Sequence, residues 1–404
     1  MSCENRRVFI VIVFISIILH NTSCIQGRSI ELSDTELNFT QLAGKYGYHA
    51  EEHTVTTEDG YILKIFRMRA RQCEGERPPV LVTHGLLISA DVFLDAGPDT
   101  GLAYLLADAC NDLWFGNSRG NTYSRGHITL DPDKDSEYWN FSFDQMGYYD
   151  NPATIDYILN VTGFEKLGYI GYSQGSSIGF IMCSERPGYC DKFNVFINLA
   201  PSSRHLNSKS PFSRAMSLFF MKAEPLLDRL GIREVLAKPT SASTAKFTNM
   251  FCHSAIGEAT TRSIFAVLDN YHGKSVSSLT IRTTCARAQA GTSLHNLAHY
   301  GQAMTSKDFQ KFDYGVENMK IYGSEGPPSY NIAATTVPVV LIYGENDGMA
   351  DPSDVRWLAS QLPNVVESYL VPNPKWNHLD FVYSQYIPDL IFPKIQEYLL
   401  KYNM

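Results

Sequence analysis

Continuous apolar runs that stop at glycine or polar turns alternate along the chain with stretches whose apolar positions recur at helical spacing. Val80, Leu81 and Val82 form one such run, closed by His84 and Gly85, as in a strand buried on both faces of a sheet. Residues 112–115 predict a second buried strand, ending at the loop 116–120. Ahead of both, from about Tyr46, two alternating stretches meet at Glu58, Asp59 and Gly60, the pattern of a hairpin. Within residues 146–164, Ile155, Ile158 and Leu159 lie at helical spacing after Pro152, which predicts a helix leading into the next strand. Residues 194–201 read as a further strand. The alternation returns at residues 337–347 and runs through 366–373 to an amphipathic C-terminal helix, expected over 387–400. Such alternation of strand and helix implies an α/β fold around a mostly parallel sheet.

Residues 202–326 break the pattern, with helical stretches and no convincing buried strand. They are expected to form a cap inserted into a sheet domain made of residues 25–201 and 327–404. Inside the insertion, residues 211–231 carry Phe212, Met216, Leu218, Phe219, Phe220 and Met221. A band this broad fits either a lid surface that meets a lipid interface or the buried face of a cap helix.

Composition narrows the class. At 404 residues, 44% hydrophobic and 12% aromatic, the chain can bury a large core. A formal charge of −8 with no block of like charges argues against a nucleic-acid partner. Arg6 and Arg7 precede the apolar residues 8–19, and Thr22, Ser23 and Cys24 come next, which reads as a secretory signal peptide over residues 1–24, with an uncleaved anchor as the alternative. No later stretch approaches membrane-spanning length, and the expected destination is extracellular, in the gut lumen or elsewhere, with the lysosome as the alternative. Removal of Cys3 and Cys24 with the signal leaves Cys73, Cys110, Cys183, Cys190, Cys252 and Cys285, some of which should pair in an oxidising compartment, with the connectivity open. Cys183 and Cys190 have no partner pair at zinc-like spacing, and neither a metal nor a cofactor is expected. Sequons stand at Asn38, Asn140 and Asn160; the aromatic residues around Asn140 suggest that it is buried.

The chemistry centres on residues 167–180, where an apolar run meets Gly171-Tyr172-Ser173-Gln174-Gly175 and continues into small and apolar residues. This is the pattern of a nucleophile elbow, a tight strand-to-helix turn that presents a serine and needs small neighbours two positions either side. Residues 116–120, GNSRG, match the same pattern, but polar and glycine-broken sequence comes after them, so Ser118 is placed in a loop. A serine hydroxyl needs a general base, and the base needs a group that fixes its tautomer and stabilises its cation. The order Ser, acid, His is supplied by Asp347 and His378, each just past a strand. Asp351, before Pro352, reads as a helix N-cap; Asp354 lies nearby, and Glu345 is the fallback acid. Oxyanion donors are expected from the backbone N–H groups of Gln174 and of Leu86, in the loop after the third strand. Residues 271–276 only superficially resemble the end of a phosphate loop, since Leu268 stands where its first glycine belongs.

With these residues in place, the chain resembles the acid lipase family of the α/β hydrolases, the gastric, lysosomal and insect type. The resemblance runs from about Tyr46 to the C-terminus and is carried by EEHTVTTEDGYIL, VTHGLL, WFGNSRGNTYSRGH, GYSQG, QAGTSLHNLAHYGQ, GENDGMADPSDV and NHLDF, among others. It implies an α/β-hydrolase fold with a helical cap, and hydrolysis of neutral lipid esters, triacylglycerol or sterol ester, through an acyl-enzyme. It also implies Ser173 as nucleophile, Asp347 as acid, His378 as base, and Leu86 with Gln174 as oxyanion hole. The alternative on the same fold is a catalytically silent lipid-binding or storage protein. Two departures stand out: Tyr172 replaces a histidine common in the family, and residues 202–280 resemble it least.

Overall fold

The computed structural model describes residues 34–404 except Glu74, residues 237–241 and 288–289 and the side chains of 242–246; the signal-peptide reading lies outside the described residues. The main sheet is built on eight strands: β1 (His49–Thr56), β2 (Tyr61–Arg69), β3 (Pro79–Thr83), β4 (Asp112–Gly116), β5 (Leu167–Tyr172), β6 (Phe193–Leu199), β7 (Val339–Tyr343) and β8 (Val365–Leu370). Their order is β1-β2-β4-β3-β5-β6-β7-β8, and a two-residue strand, Gly126–His127, adds to β2. β1 and β2 form the expected antiparallel hairpin, β2 runs antiparallel to β4, and every later neighbour is parallel.

Each residue of β3, β4, β5 and β7 is buried. Alternate side chains of one strand therefore feed two cores. Val80 and Val82 join Phe66, Ile170, Ile197 and Ile342 on one face, whereas Leu81 joins Trp114, Tyr169, Phe196 and Leu341 on the other. This double burial is why these strands read as unbroken apolar runs rather than as alternation.

The longer helices are α1 (Phe39–Lys45), α2 (Leu102–Asp108), α3 (Asn151–Thr162), α4 (Gln174–Glu185), α5 (Pro211–Arg229), α6 (Ala242–Cys252), α7 (Ala255–Leu268), α8 (Ser278–Arg287), α9 (Leu294–Ala303), α10 (Pro352–Gln361) and α11 (Phe392–Tyr402). α3 is the helix expected after Pro152, and it ends at Gly163 in the left-handed region, φ 74°. The C-terminal helix differs from expectation. A short helix, Ile387–Leu390, is separated from α11 at Ile391, because Pro393 sits in the first turn of α11 and cannot donate the amide a continuous helix needs. Asn140 also differs: it is exposed while Trp139 and Phe141 beside it are buried, since the neighbouring rings turn inward and the amide turns out.

α5 to α9 lie between β6 and β7, joined by a small antiparallel pair, Glu234–Val235 with Thr292–Ser293. α5 has no buried residue and leaves Phe219 and Leu226 half or more exposed, while packing on α9 where Gly301 admits it; a Cβ at Gly301 would meet the Ser217 carbonyl oxygen at 2.4 Å. Among the described residues, three disulfides are formed, Cys73–Cys110, Cys183–Cys190 and Cys252–Cys285. Among the described residues, no helix is long and apolar enough to cross a membrane.

Candidate active site

Ser173 stands between β5 and α4 with φ 53° and ψ −116°, a region that L-residues rarely occupy and that costs roughly 1–3 kcal/mol. The turn is closed by its glycines. A Cβ at Gly171 would lie 2.7 Å from the backbone of Gly175 and Ser176, and one at Gly175 would lie 2.4 Å from the Thr83 carbonyl oxygen. Ser173 N–H donates to Leu199 O at 2.9 Å, tying the turn to the end of β6. The serine occupies the N-cap position of α4 without making a side-chain cap bond. Its Oγ lies instead 2.8 Å from Nε2 of His378.

His378 lies in a loop after β8 and is buried. Its Nδ1 lies 2.8 Å from Oδ2 of Asp347, which comes after β7. The other Asp347 oxygen accepts the amides of Met349 (2.9 Å) and Ala350 (2.7 Å), so both oxygens of this buried carboxylate are held. Burial opposes a charge on His378, but the Asp347 carboxylate and its hydrogen bond, with Asp269 beyond, outweigh it and raise the imidazole above its ordinary 6.5. The rival acids have other partners. Asp351 accepts from Ser353 N–H at 2.7 Å as the N-cap of α10, and Asp354 holds Arg204 at 2.8 Å and Asn207 at 2.9 Å. Glu345 is exposed.

Leu86 lies in the loop after β3, and this loop abuts the nucleophile: a Cβ at Gly85 would be 3.1 Å from the Ser173 Cβ. Leu87 has φ 65°, and its carbonyl accepts from Ala290 N–H at 3.0 Å. His84 holds the base of the loop. Its Nδ1 bonds Gly85 O at 2.7 Å, while Nε2 accepts from Ser118 N–H at 3.1 Å and faces the Asn121 amide at 3.2 Å. Accepting at Nε2 requires a neutral ring, and full burial lowers the imidazole to about 4. The GNSRG loop, set aside as a nucleophile, thus props the loop after β3 through His84. Gln174 begins α4, and its side-chain Oε1 accepts from Asn296 at 2.9 Å and Tyr300 at 3.3 Å, both on α9.

The structure brings Ser173, His378 and Asp347 together and places Leu86 and Gln174 on the two segments flanking the serine. Two further side chains, neither marked for this role by the sequence, reach the same centre. Asp269, at the C-terminus of α7, accepts from His378 N–H at 2.5 Å, and Tyr172 donates to His378 O at 3.0 Å. Burial, then the charge of Asp347, raise the Asp269 carboxyl to about 7.

Comparison with known proteins gives a consistent picture. Residues 39–97 match the family model described as a partial α/β-hydrolase lipase region, and residues 78–384 match that of the α/β hydrolase fold. Lipase 1 of Drosophila melanogaster is 37% identical over 388 residues, covering 93% of this chain and 82% of that protein. Gastric triacylglycerol lipase of Bos taurus is 36% identical over 387 residues, covering 93% and 94%. Lysosomal acid lipase/cholesteryl ester hydrolase of Homo sapiens is 34% identical over 376 residues, covering 92% of each. A Sulfolobus solfataricus protein of known structure shares the fold, with a TM-score of 0.58 over 88% of this chain and 95% of its own at 13% identity. On the strength of its sequence relatives and of the matching family models, the chain belongs to the acid lipase family of the α/β hydrolases.

Proposed function

We propose that this chain is a secreted serine lipase that hydrolyses neutral lipid esters, triacylglycerol or sterol ester. The observation that carries the reading is the buried relay Ser173 Oγ, His378 Nε2, His378 Nδ1, Asp347 Oδ2, two contacts of 2.8 Å each at a strained elbow. Relatives named for triacylglycerol and cholesteryl ester hydrolysis support the substrate class.

In this reading Ser173 Oγ forms a bond to the ester carbonyl carbon as its proton passes to His378 Nε2. Nδ1–H stays hydrogen-bonded to Asp347, which fixes the tautomer and stabilises the imidazolium without taking the proton. The carbonyl electrons move onto oxygen, and the N–H groups of Leu86 and Gln174 donate hydrogen bonds to the oxyanion; one such donor is worth roughly 3–4 kcal/mol of barrier. Collapse expels the alcohol, which leaves with the proton from Nε2. Water repeats the cycle on the acyl-enzyme and releases the fatty acid. A catalytically silent binding protein has no use for a strained serine or for a carboxylate-held imidazole.

Residues 202–326 act as the cap between the two parts of the sheet domain. The half-exposed Phe219 and Leu226 on α5, with exposed Phe247 and Met250 on α6, support contact with a lipid–water interface. Three disulfides and the sequons support an extracellular or lysosomal destination, and we assign the extracellular one, with the gut lumen included.

The test is treatment of the purified protein with a serine-directed phosphonate, then peptide mass spectrometry and assay on long-chain triacylglycerol, sterol ester and short-chain ester. One adduct on the Ser173 peptide with parallel loss of turnover is expected. A label elsewhere, or full activity after labelling of Ser173, would refute the reading.

A further inference from the structure

We propose that Asp269 and Tyr172 are positioning residues that clamp the two main-chain polar groups of His378 and so set where its imidazole stands. The proposal rests on the reading of His378 as the base.

His378 lies in a loop, where no sheet ladder or helix holds its peptide groups. Its N–H goes to Oδ2 of Asp269 at 2.5 Å and its C=O receives the Tyr172 hydroxyl at 3.0 Å. The second Asp269 oxygen, Oδ1, accepts Gly348 N–H at 2.8 Å, one residue past Asp347. One carboxylate therefore spans the loop of the acid and the loop of the base, and sets their separation. Asn270 doubles the bridge: its Nδ2 donates to Asn346 O at 2.9 Å, and its carbonyl accepts from Asn377 Nδ2 at 2.5 Å. Space is equally restricted, since a Cβ at Gly348 would sit 2.9 Å from Asp269 Oδ1.

Asp269, Tyr172 and His378 are all buried. A carboxyl placed beside Asp347 in such a site is costly, and the two amides it accepts offset that cost. What only a carboxylate supplies is acceptance of two amides at once; an asparagine accepts one and turns an NH2 toward the other. Tyr172 contributes from β5, the strand that also delivers Ser173, so nucleophile and base are placed from one element.

The experiment uses the full chain with Asp269→Asn, Tyr172→Phe, both together, and Glu258→Gln, whose carboxylate bonds Arg262, Arg282 and Ser278 within the insertion. Steady-state hydrolysis of a soluble ester is read with the melting temperature. Asp269→Asn is expected to lower kcat about 10²-fold with KM unchanged, the size of effect that a displacement near 1 Å produces. Tyr172→Phe is expected to lower kcat roughly tenfold, the equivalent of one hydrogen bond. The double variant should lose less than the product of the two, because both act on one peptide, and Glu258→Gln should match the wild type. A folded Asp269→Asn protein with wild-type kcat overturns the proposal. Should that variant not fold, wild-type kcat in Tyr172→Phe overturns it. Failure of the underlying reading looks different, for Ser173→Ala would then hydrolyse ester as the wild type does.

Discussion

His378 is poised between opposing effects. Burial disfavours its cation, while the carboxylates of Asp347 and Asp269 favour it, and the result lies above 6.5. The groups around it are Asp347 after β7, Asp269 after α7, Tyr172 on β5, Asp380 at the start of the short helix Asp380–Tyr383, and His205 after β6, which burial keeps below its usual value. A general base must be unprotonated, so kcat/KM for a soluble ester should climb as pH rises through the raised value and level off above it. Asp269 titrates near 7 beside it, so the limb belongs to the coupled pair. Asp269→Asn removes a negative charge that favours the imidazolium, and its limb should move to lower pH. A limb that stays in place or moves up would contradict this electrostatic account. The measurement is a kcat/KM profile over roughly pH 5–9, bracketing the ordinary histidine value.

At the scale of elements, each member of the relay sits just past an apolar strand: Ser173 after β5, Asp347 after β7 and His378 after β8. That regularity made Ser173 and Asp347 legible, because β5 and β7, buried on both faces, announce themselves, whereas β8 is only partly buried and His378 was legible by chain order. Asp269 was not legible. It ends a cap helix with no local pattern to mark it, and its partners lie 79 and 109 residues away. The role of Ser118 was hidden for a similar reason, since it arises only where the loops after β3 and β4 meet. Pro393 was visible and should have divided the C-terminal helix. The elbow itself yields a sharp expectation. Gly175→Ala drives a methyl group toward the Thr83 carbonyl and should destabilise the protein by about 1–3 kcal/mol in urea unfolding, as overpacking does. An unchanged midpoint would mean that the turn has slack.

Across the whole molecule, residues between β6 and β7 reach the segments around Ser173 and His378. Arg287 on α8 pairs with Asp91 at 2.7 Å and Asp95 at 3.0 Å beyond the oxyanion loop, Ala290 bonds that loop directly, Asn296 holds Gln174, and Asp269 holds the base. α5 packs on α9 but has no buried residue. The proposed lipid contact rests on the exposed apolar side chains of α5 and α6. Phe219→Ser with Leu226→Ser should lower turnover of emulsified triacylglycerol several-fold, by loss of apolar area at the interface, while leaving hydrolysis of a dissolved short-chain ester unchanged. An equal fall on both substrates would place these side chains in the active site instead. The relay remains the centre of the account, and turnover of a long-chain triacylglycerol emulsion by folded Ser173→Ala protein tests it most directly. A fall of about 10⁶-fold, the scale seen when a serine nucleophile is removed elsewhere, is the predicted result; a rate comparable to the wild type would contradict it.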